Sequence, residues 1–217
     1  MSFFAFLFNQ HYRMNFSSNL IEEAVNAFAS LPGVGRKSAL RHVLFLIKQP
    51  IDKTEKIASA LVNLKQNLKT CIECFNVSDS TVCAICTNPR RDKSVVMVVE
   101  SIRDVMAIEN TSLFNGVYHI LGGVISPMEG IGPNDINATA LIHRVNDGNI
   151  KEIIMAISPT IEGETTIFYL SRQLKEHPIK ITTLARGISF GSDLEYTDET
   201  TLGRSIQQRV DYNVQNI

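Results

Sequence analysis

What the 217-residue chain lacks narrows its function first. No apolar run approaches the roughly 20 residues that a membrane-spanning helix requires, so the chain is expected not to cross a membrane. Cysteine is scarce, with four residues all between Cys71 and Cys86. Two disulfides would suit a small secreted domain, but this chain is long and shows no secretory signal. Its aromatic run Phe3-Phe4-Ala5-Phe6-Leu7-Phe8 has no basic residue ahead of it and no small-residue cleavage site behind it. Gly122-Gly123 and Gly130-x-Gly132 lack the G-x-G-x-x-G spacing of a dinucleotide fingerprint. No Ser/His/Asp arrangement is recognisable, and His42, His119 and His143 each sit in a helical or strand pattern with no second ligand at metal spacing.

What is present begins with Cys71-x-x-Cys74 and Cys83-x-x-Cys86, separated by eight residues. Each pair puts two thiolates on one tight turn, and four together form the closed sulfur tetrahedron of a structural Zn²⁺ site. One zinc per chain is expected, acting as a clasp with no open position for chemistry. Cysteines in metal spacing also point to a reducing compartment, hence the cytoplasm.

Composition is that of a folded globular protein, 44% hydrophobic and 20% charged. The net charge of −1 conceals an asymmetry. Arg36 to Lys93 holds eleven Lys/Arg against five Asp/Glu, or +6, whereas Ser94 to Ile217 holds nine against fifteen, or −6. A basic segment fits a polyanionic partner and an acidic one fits a protein.

Along the chain, Asn19 with Glu22 three residues on resembles a capping box opening a first helix, with Leu20, Ile21, Ala24, Val25 and Phe28 on its apolar face. Pro32 ends it. A second helix is expected from Arg36 to before Pro50, carrying Leu40, Val43, Leu44 and Ile47. A third is expected to be capped by Asp52 and to carry Ile57, Ala58, Leu61, Leu64 and Leu68. After Lys93 the pattern alternates: strands at 94–99, 117–121, 152–157 and 180–185, with helices at about 101–109, 138–145 and 164–175. Such alternation predicts an α/β fold with a mostly parallel sheet, helices on both faces, and sites at one sheet edge. The long loop from Gly122 to Asp135 is of functional length, although no residue pattern in it names a role.

The turn Gly33-Val34-Gly35 has a physical use if the protein binds nucleic acid. Its glycines permit a tight turn and close approach to a phosphate, and the helix after it begins with free N–H groups and a positive dipole end. Lys37 and Arg41, one turn apart, extend the positive face, so binding would be sequence-independent and salt-sensitive.

Leu31-Pro32-Gly33-Val34-Gly35-Arg36-Lys37-Ser38-Ala39 resembles the helix-hairpin-helix signature of the bacterial recombination-protein family RecR. The four cysteines, Val98-Val99-Glu100, Ser158-Pro159-Thr160-Ile161-Glu162-Gly163-Glu164-Thr165 and the segment Gly187 to Leu202 follow in that family's order. Residues 1–14, whose aromatic run has no partner element of helical or strand length, are expected to be a disordered tail or spurious extension. The resemblance implies four further regions: a helix-hairpin-helix DNA-binding region over 15–69, a four-cysteine zinc finger over 70–89, a Toprim domain over 93–186, and a C-terminal oligomerisation segment over 187–217. Translation is then expected to start at Met14.

Active Toprim enzymes use a glutamate after the first strand and an Asp-x-Asp pair after the third to hold Mg²⁺. Here the glutamate is Glu100, while Ser158 and Thr160 fill the aspartate positions, with Glu162 and Glu164 nearby as a weak substitute. Uncharged hydroxyls do not replace two carboxylates on a hard cation. The resemblance therefore implies a non-catalytic mediator of recombinational repair. It implies action with RecO and RecF at gapped single- and double-stranded DNA to help load RecA, as a homo-oligomeric clamp, a tetramer or dimer of dimers. Gly33, Gly35, Arg36, Lys37 and Arg41 are its expected DNA contacts; Arg36 stands where many relatives carry proline. The alternatives are a metal-dependent Toprim nuclease or phosphoryl-transfer enzyme, and a hub that binds only proteins.

Overall fold

The computed structural model describes residues 18–211, so the expectation of a tail or spurious extension over 1–14 lies outside the described residues. The chain divides between Asn67 and Leu68 into two compact units.

The first unit is helical: α1 Asn19–Ala29, α2 Arg36–Ile47 and α3 Ile51–Asn67. Asn19 already lies within α1, so the expected capping box does not form. Ser18 precedes the helix in extended conformation without a side-chain cap, and its carbonyl accepts the Glu22 N–H at 3.3 Å. The apolar faces of α1 and α2 meet in a small core of Val25, Ala39 and Val43, bordered by Ile21, Ala24, Phe28, Val34 and Leu40. Two expectations about α3 are corrected. The helix starts directly after Pro50, so Asp52 sits inside the first turn, where its charge complements the helix dipole instead of capping it. Leu68 falls beyond its end, and the remaining apolar positions, Leu61 among them at 63% exposed, stay open. No residue of α3 is buried among the described residues. Helical periodicity says which residues share a face; it does not say that another element covers it.

The second unit begins with the cysteine segment, where a short antiparallel pair, β1 Lys69–Thr70 and β2 Val77–Ser78, precedes the one-turn helix α4 Ala84–Thr87. Then come β3 Asp92–Val99, α5 Ile102–Thr111, β4 Gly116–Ile120, α6 Ala138–Asp147, β5 Glu152–Ala156, α7 Ile161–Gln173, β6 Lys180–Thr183 and α8 Glu199–Gln207. The four long strands are parallel in the order β4-β3-β5-β6. Alternation sorts side chains between two layers. Val96, Val98, Ile153 and Met155 pack with Leu141 and Val145 of α6, Leu170 of α7 and Leu174 just beyond it, while Met97, Val99 and Ala156 pack with Val105 of α5. Phe75 and Ile85 of the cysteine segment join the second layer, and the Ile120 N–H donates to the Cys74 carbonyl at 2.9 Å.

Several boundaries differ from expectation by one to three residues, those of α7 and β6 among them. α7 begins at Ile161 rather than near Glu164, because the Thr160 hydroxyl accepts the Gly163 N–H at 3.0 Å and so caps the helix early. β6 ends at Thr183, two residues short of the expected strand. His119 is fully buried, edge-on to Phe75, with Nε2 2.9 Å from the Asn137 carbonyl oxygen. Burial pushes its pKa down to about 4, so the ring is neutral at pH 7. No described helix is long and apolar enough to cross a membrane.

Candidate nucleic-acid interface and metal centre

The hairpin between α1 and α2 is set by local geometry. The Leu31 N–H donates to the Phe28 carbonyl (3.2 Å) and the Val34 N–H to the Leu31 carbonyl (3.1 Å), which turns the chain over Pro32-Gly33. Gly33 has φ +77°, a region that costs a residue with a Cβ about 1–2 kcal/mol. Gly35 is different: at φ −75°, ψ 161° any residue would fit, and a Cβ there would meet no atom within 4 Å. The turn therefore does not require a glycine at this position, and the space beside it is open. The first intrahelical bond of α2 runs from the Ala39 N–H to the Gly35 carbonyl at 2.9 Å, and no side chain caps the helix. The N–H groups of Arg36, Lys37 and Ser38 precede that bond, at the positive end of the dipole. Arg36, Lys37 and Arg41 are all exposed. Lys37 and Arg41 line a groove of about 430 Å³ together with Leu40, Leu44, Phe45 and Lys48; Arg36 does not border it.

The four cysteines come together. Cys71, Cys74, Cys83 and Cys86 are buried, with their sulfurs all within 4.8 Å of one another. Cys74 Sγ and Cys83 Sγ are 3.5 Å apart, near the roughly 3.8 Å edge of a sulfur tetrahedron with 2.3 Å Zn–S bonds. The first turn closes through the Cys71 N–H to the Asn76 carbonyl (2.7 Å) and holds Phe75 at φ +63°. In the second, Cys83 caps α4 and its N–H donates to Cys71 Sγ at 3.3 Å. A hydrogen bond from Cys86 holds the Cys74 thiol down at about 6, while that same bond and burial push Cys86 up; burial raises Cys83. Four buried sulfurs gathered this closely fit a metal such as zinc.

The sheet edge gathers the Toprim positions differently from an active Toprim enzyme. Because the chain passes from β3 to one neighbour, β4, and then returns to the other, β5, the ends of β3 and β5 form the topological switch point. Glu100 and Ser158 meet there, with the Ser158 N–H donating to Glu100 Oε1 at 2.6 Å. Thr160 is occupied as the α7 cap. Glu162 and Glu164 lie in the first turn of α7, and Glu164 is ion-paired with Arg186. Among the described residues the cysteines are the only group of three or more potential metal ligands, so these carboxylates form no such group. Beside the edge lies a cavity of about 650 Å³ whose lining includes Ser158, Arg186, Asp198 and Arg204.

Arg186, Phe45 and Lys48 escaped the sequence reading. Phe45 and Lys48 follow Arg41 at the four- and seven-residue steps of one helix face, a signal that was available. Arg186 lies 22 residues from its partner Glu164, and no local pattern announces the pair.

Comparison with known proteins agrees with this layout. Residues 21–65 match the family model for the RecR helix-hairpin-helix, residues 94–185 the Toprim domain, and residues 187–210 the RecR C-terminal region. The chain is 54% identical over 198 residues to the recombination protein RecR of Porphyromonas gingivalis, covering 91% of this chain and 96% of that protein. It is 56% identical over 197 residues to that of Cytophaga hutchinsonii, covering 90% and 96%. It is 52% identical over 200 residues to that of Amoebophilus asiaticus, covering 92% and 100%. With such identity sustained across nine-tenths of its length, and with family models matching the hairpin, the Toprim domain and the C-terminal region in turn, this chain belongs to the RecR family of recombination proteins.

Proposed function

We propose that the protein is a non-catalytic mediator of recombinational DNA repair that grips DNA through the hairpin between α1 and α2. The observation that carries this reading is the uncapped start of α2: three N–H groups ahead of the first helical bond, behind a glycine with open space, beside the exposed Arg36, Lys37 and Arg41. Gly33 shapes the turn, Gly35 leaves room for a phosphate, and the cations extend the contact along the backbone. The cysteine cluster holds one structural Zn²⁺. By family membership the protein works in the cytoplasm as a homo-oligomer, a tetramer or dimer of dimers, with RecO and RecF, helping to load RecA at gaps. The Toprim edge is a platform rather than an active site: hydroxyls stand at two expected carboxylate positions, and Arg186 neutralises Glu164.

The test incubates the full chain with gapped DNA across a salt series, with and without Mg²⁺ or Mn²⁺. Native gels read retention and denaturing gels read strand integrity. The expected outcome is salt-sensitive retention of intact strands, with Lys37→Ala weakening binding and lowering the salt slope by about one. Arg36→Ala is expected to act in the same direction. Metal-dependent cutting that disappears in Glu100→Ala would overturn the non-catalytic reading.

A further inference from the structure

The face of α2 holds more than phosphate-binding cations. Lys37, Arg41, Leu44, Phe45 and Lys48 recur at three- and four-residue steps and line one groove with Leu40. No carboxylate lines it. Phe45 is 50% exposed at the centre of this stripe, outside the small core that Val25, Ala39 and Val43 form. A further cation, Lys53 at the start of α3, sits with Nζ 4.9 Å from the Phe45 ring centroid and is hydrogen-bonded to Gln49 Oε1 at 3.2 Å. A half-exposed aromatic ring among four cations offers a π-face beside positive charge, and that chemistry selects its occupant.

We propose that Phe45 is a stacking platform for an unpaired base, so that this face of α2 receives single-stranded DNA where a gap begins. The proposal rests on the DNA-binding reading above and extends it from phosphate contact to recognition of strandedness. Every base offers a π-face that an aromatic side chain can cover, whereas in intact duplex those faces are stacked on one another. The cations recur along α2 at Lys37, Arg41 and Lys48, one to two 5.4 Å helical turns apart, so they can follow a backbone while the ring between Arg41 and Lys48 takes a base. Charge argues against the same face of a second copy as occupant. A two-fold pairing of this face would set Lys37, Arg41 and Lys48 of one copy against the same set of cations on the other, a like-charge contact with no carboxylate in the groove to relieve it.

The experiment uses the full chain with two substrates of one sequence: an intact duplex, and a gapped duplex carrying 2-aminopurine in the gap. The wild type is expected to quench the probe on binding. Phe45→Leu is expected to abolish the quench and weaken binding to gapped DNA about tenfold, the loss typical of one stacked base. Its affinity for intact duplex should stay within about twofold. Phe45→Tyr keeps the ring and should keep the quench, and Lys37→Ala should weaken both substrates. If Phe45→Leu binds and quenches like the wild type while Lys37→Ala weakens both, the platform is wrong and the phosphate contact stands. If the wild type binds neither substrate, the DNA reading itself falls. If Phe45→Leu changes the oligomer in light scattering and loses both substrates together, the face belongs to a subunit interface and the proposal is overturned.

Discussion

The helical unit and the sheet unit solve the problem of burial in opposite ways. From Leu68 onward, two apolar layers cover both faces of a parallel sheet, and a four-cysteine cluster packs into one of them through Phe75 and Ile85. Up to Asn67, three residues form the whole buried core and α3 buries nothing among the described residues. The sheet unit supplies its own stability. The helical unit turns much of its apolar and nearly all of its cationic side-chain surface outward, which is the design of a contact surface rather than of a self-contained domain.

This contrast can be broken at several points. The largest effect is expected at the metal. Cys83→Ser, or treatment with a strong chelator, should release one zinc per chain in native mass spectrometry and remove a stabilisation on the order of 10 kcal/mol from the sheet unit. A melting temperature unchanged by metal loss would mean that the cluster is not a clasp. Leu141→Ala, in the fully buried layer beneath the sheet, should cost about 2–5 kcal/mol in urea unfolding.

His119 gives the sheet unit a pH dependence of its own. The folded protein keeps the ring neutral down to about pH 4, whereas the unfolded chain protonates it near pH 6.5. The unfolded state therefore binds more protons between those values, and stability falls as pH drops from about 6.5 toward 4, by about 3 kcal/mol in all. Urea titrations of the wild type and His119→Gln at pH 7, 5.5 and 4 would isolate this contribution, since acid release of the metal acts on both. Equal slopes would show that His119 contributes nothing to the acid sensitivity.

Within the helical unit the effects shrink. Gly33→Ala should cost about 1–2 kcal/mol because of its positive φ, while Gly35→Ala should stay within about 1 kcal/mol yet reduce DNA affinity by crowding the approach. Smallest of all, Leu61→Ala on the open face of α3 should change unfolding by less than about 0.5 kcal/mol. A loss comparable to that of Leu141→Ala would show that this face is covered in the working protein, and would erase the difference between the units.

The features legible in the chain were those whose cause is local. The cysteines announce a metal because each pair needs only one turn to converge. The hairpin is readable because proline, a glycine that must adopt positive φ and a helix start lie within six residues. The uninterrupted apolar runs of β3 and β5 read as buried strands, and the pleat sorts their successive residues between two layers without reference to anything distant. Capping was less legible: Asn19 and Asp52 have suitable side chains, but Ser18 and Pro50 stand nearer the true helix starts, and chemistry alone does not choose between adjacent candidates.

By itself, then, the sequence determined the cysteine cluster, the hairpin and the parallel sheet, since each follows from spacing over a few residues. The tertiary structure alone decided what those parts touch. It tied Glu100 to the Ser158 backbone across 58 residues and gave Glu164 to Arg186 across 22. It also buried His119 while leaving Phe45 and the α3 stripe open. Such outcomes depend on which surfaces meet when strands and helices pack, and a side chain's charge, burial and partner are properties of that meeting rather than of the residue.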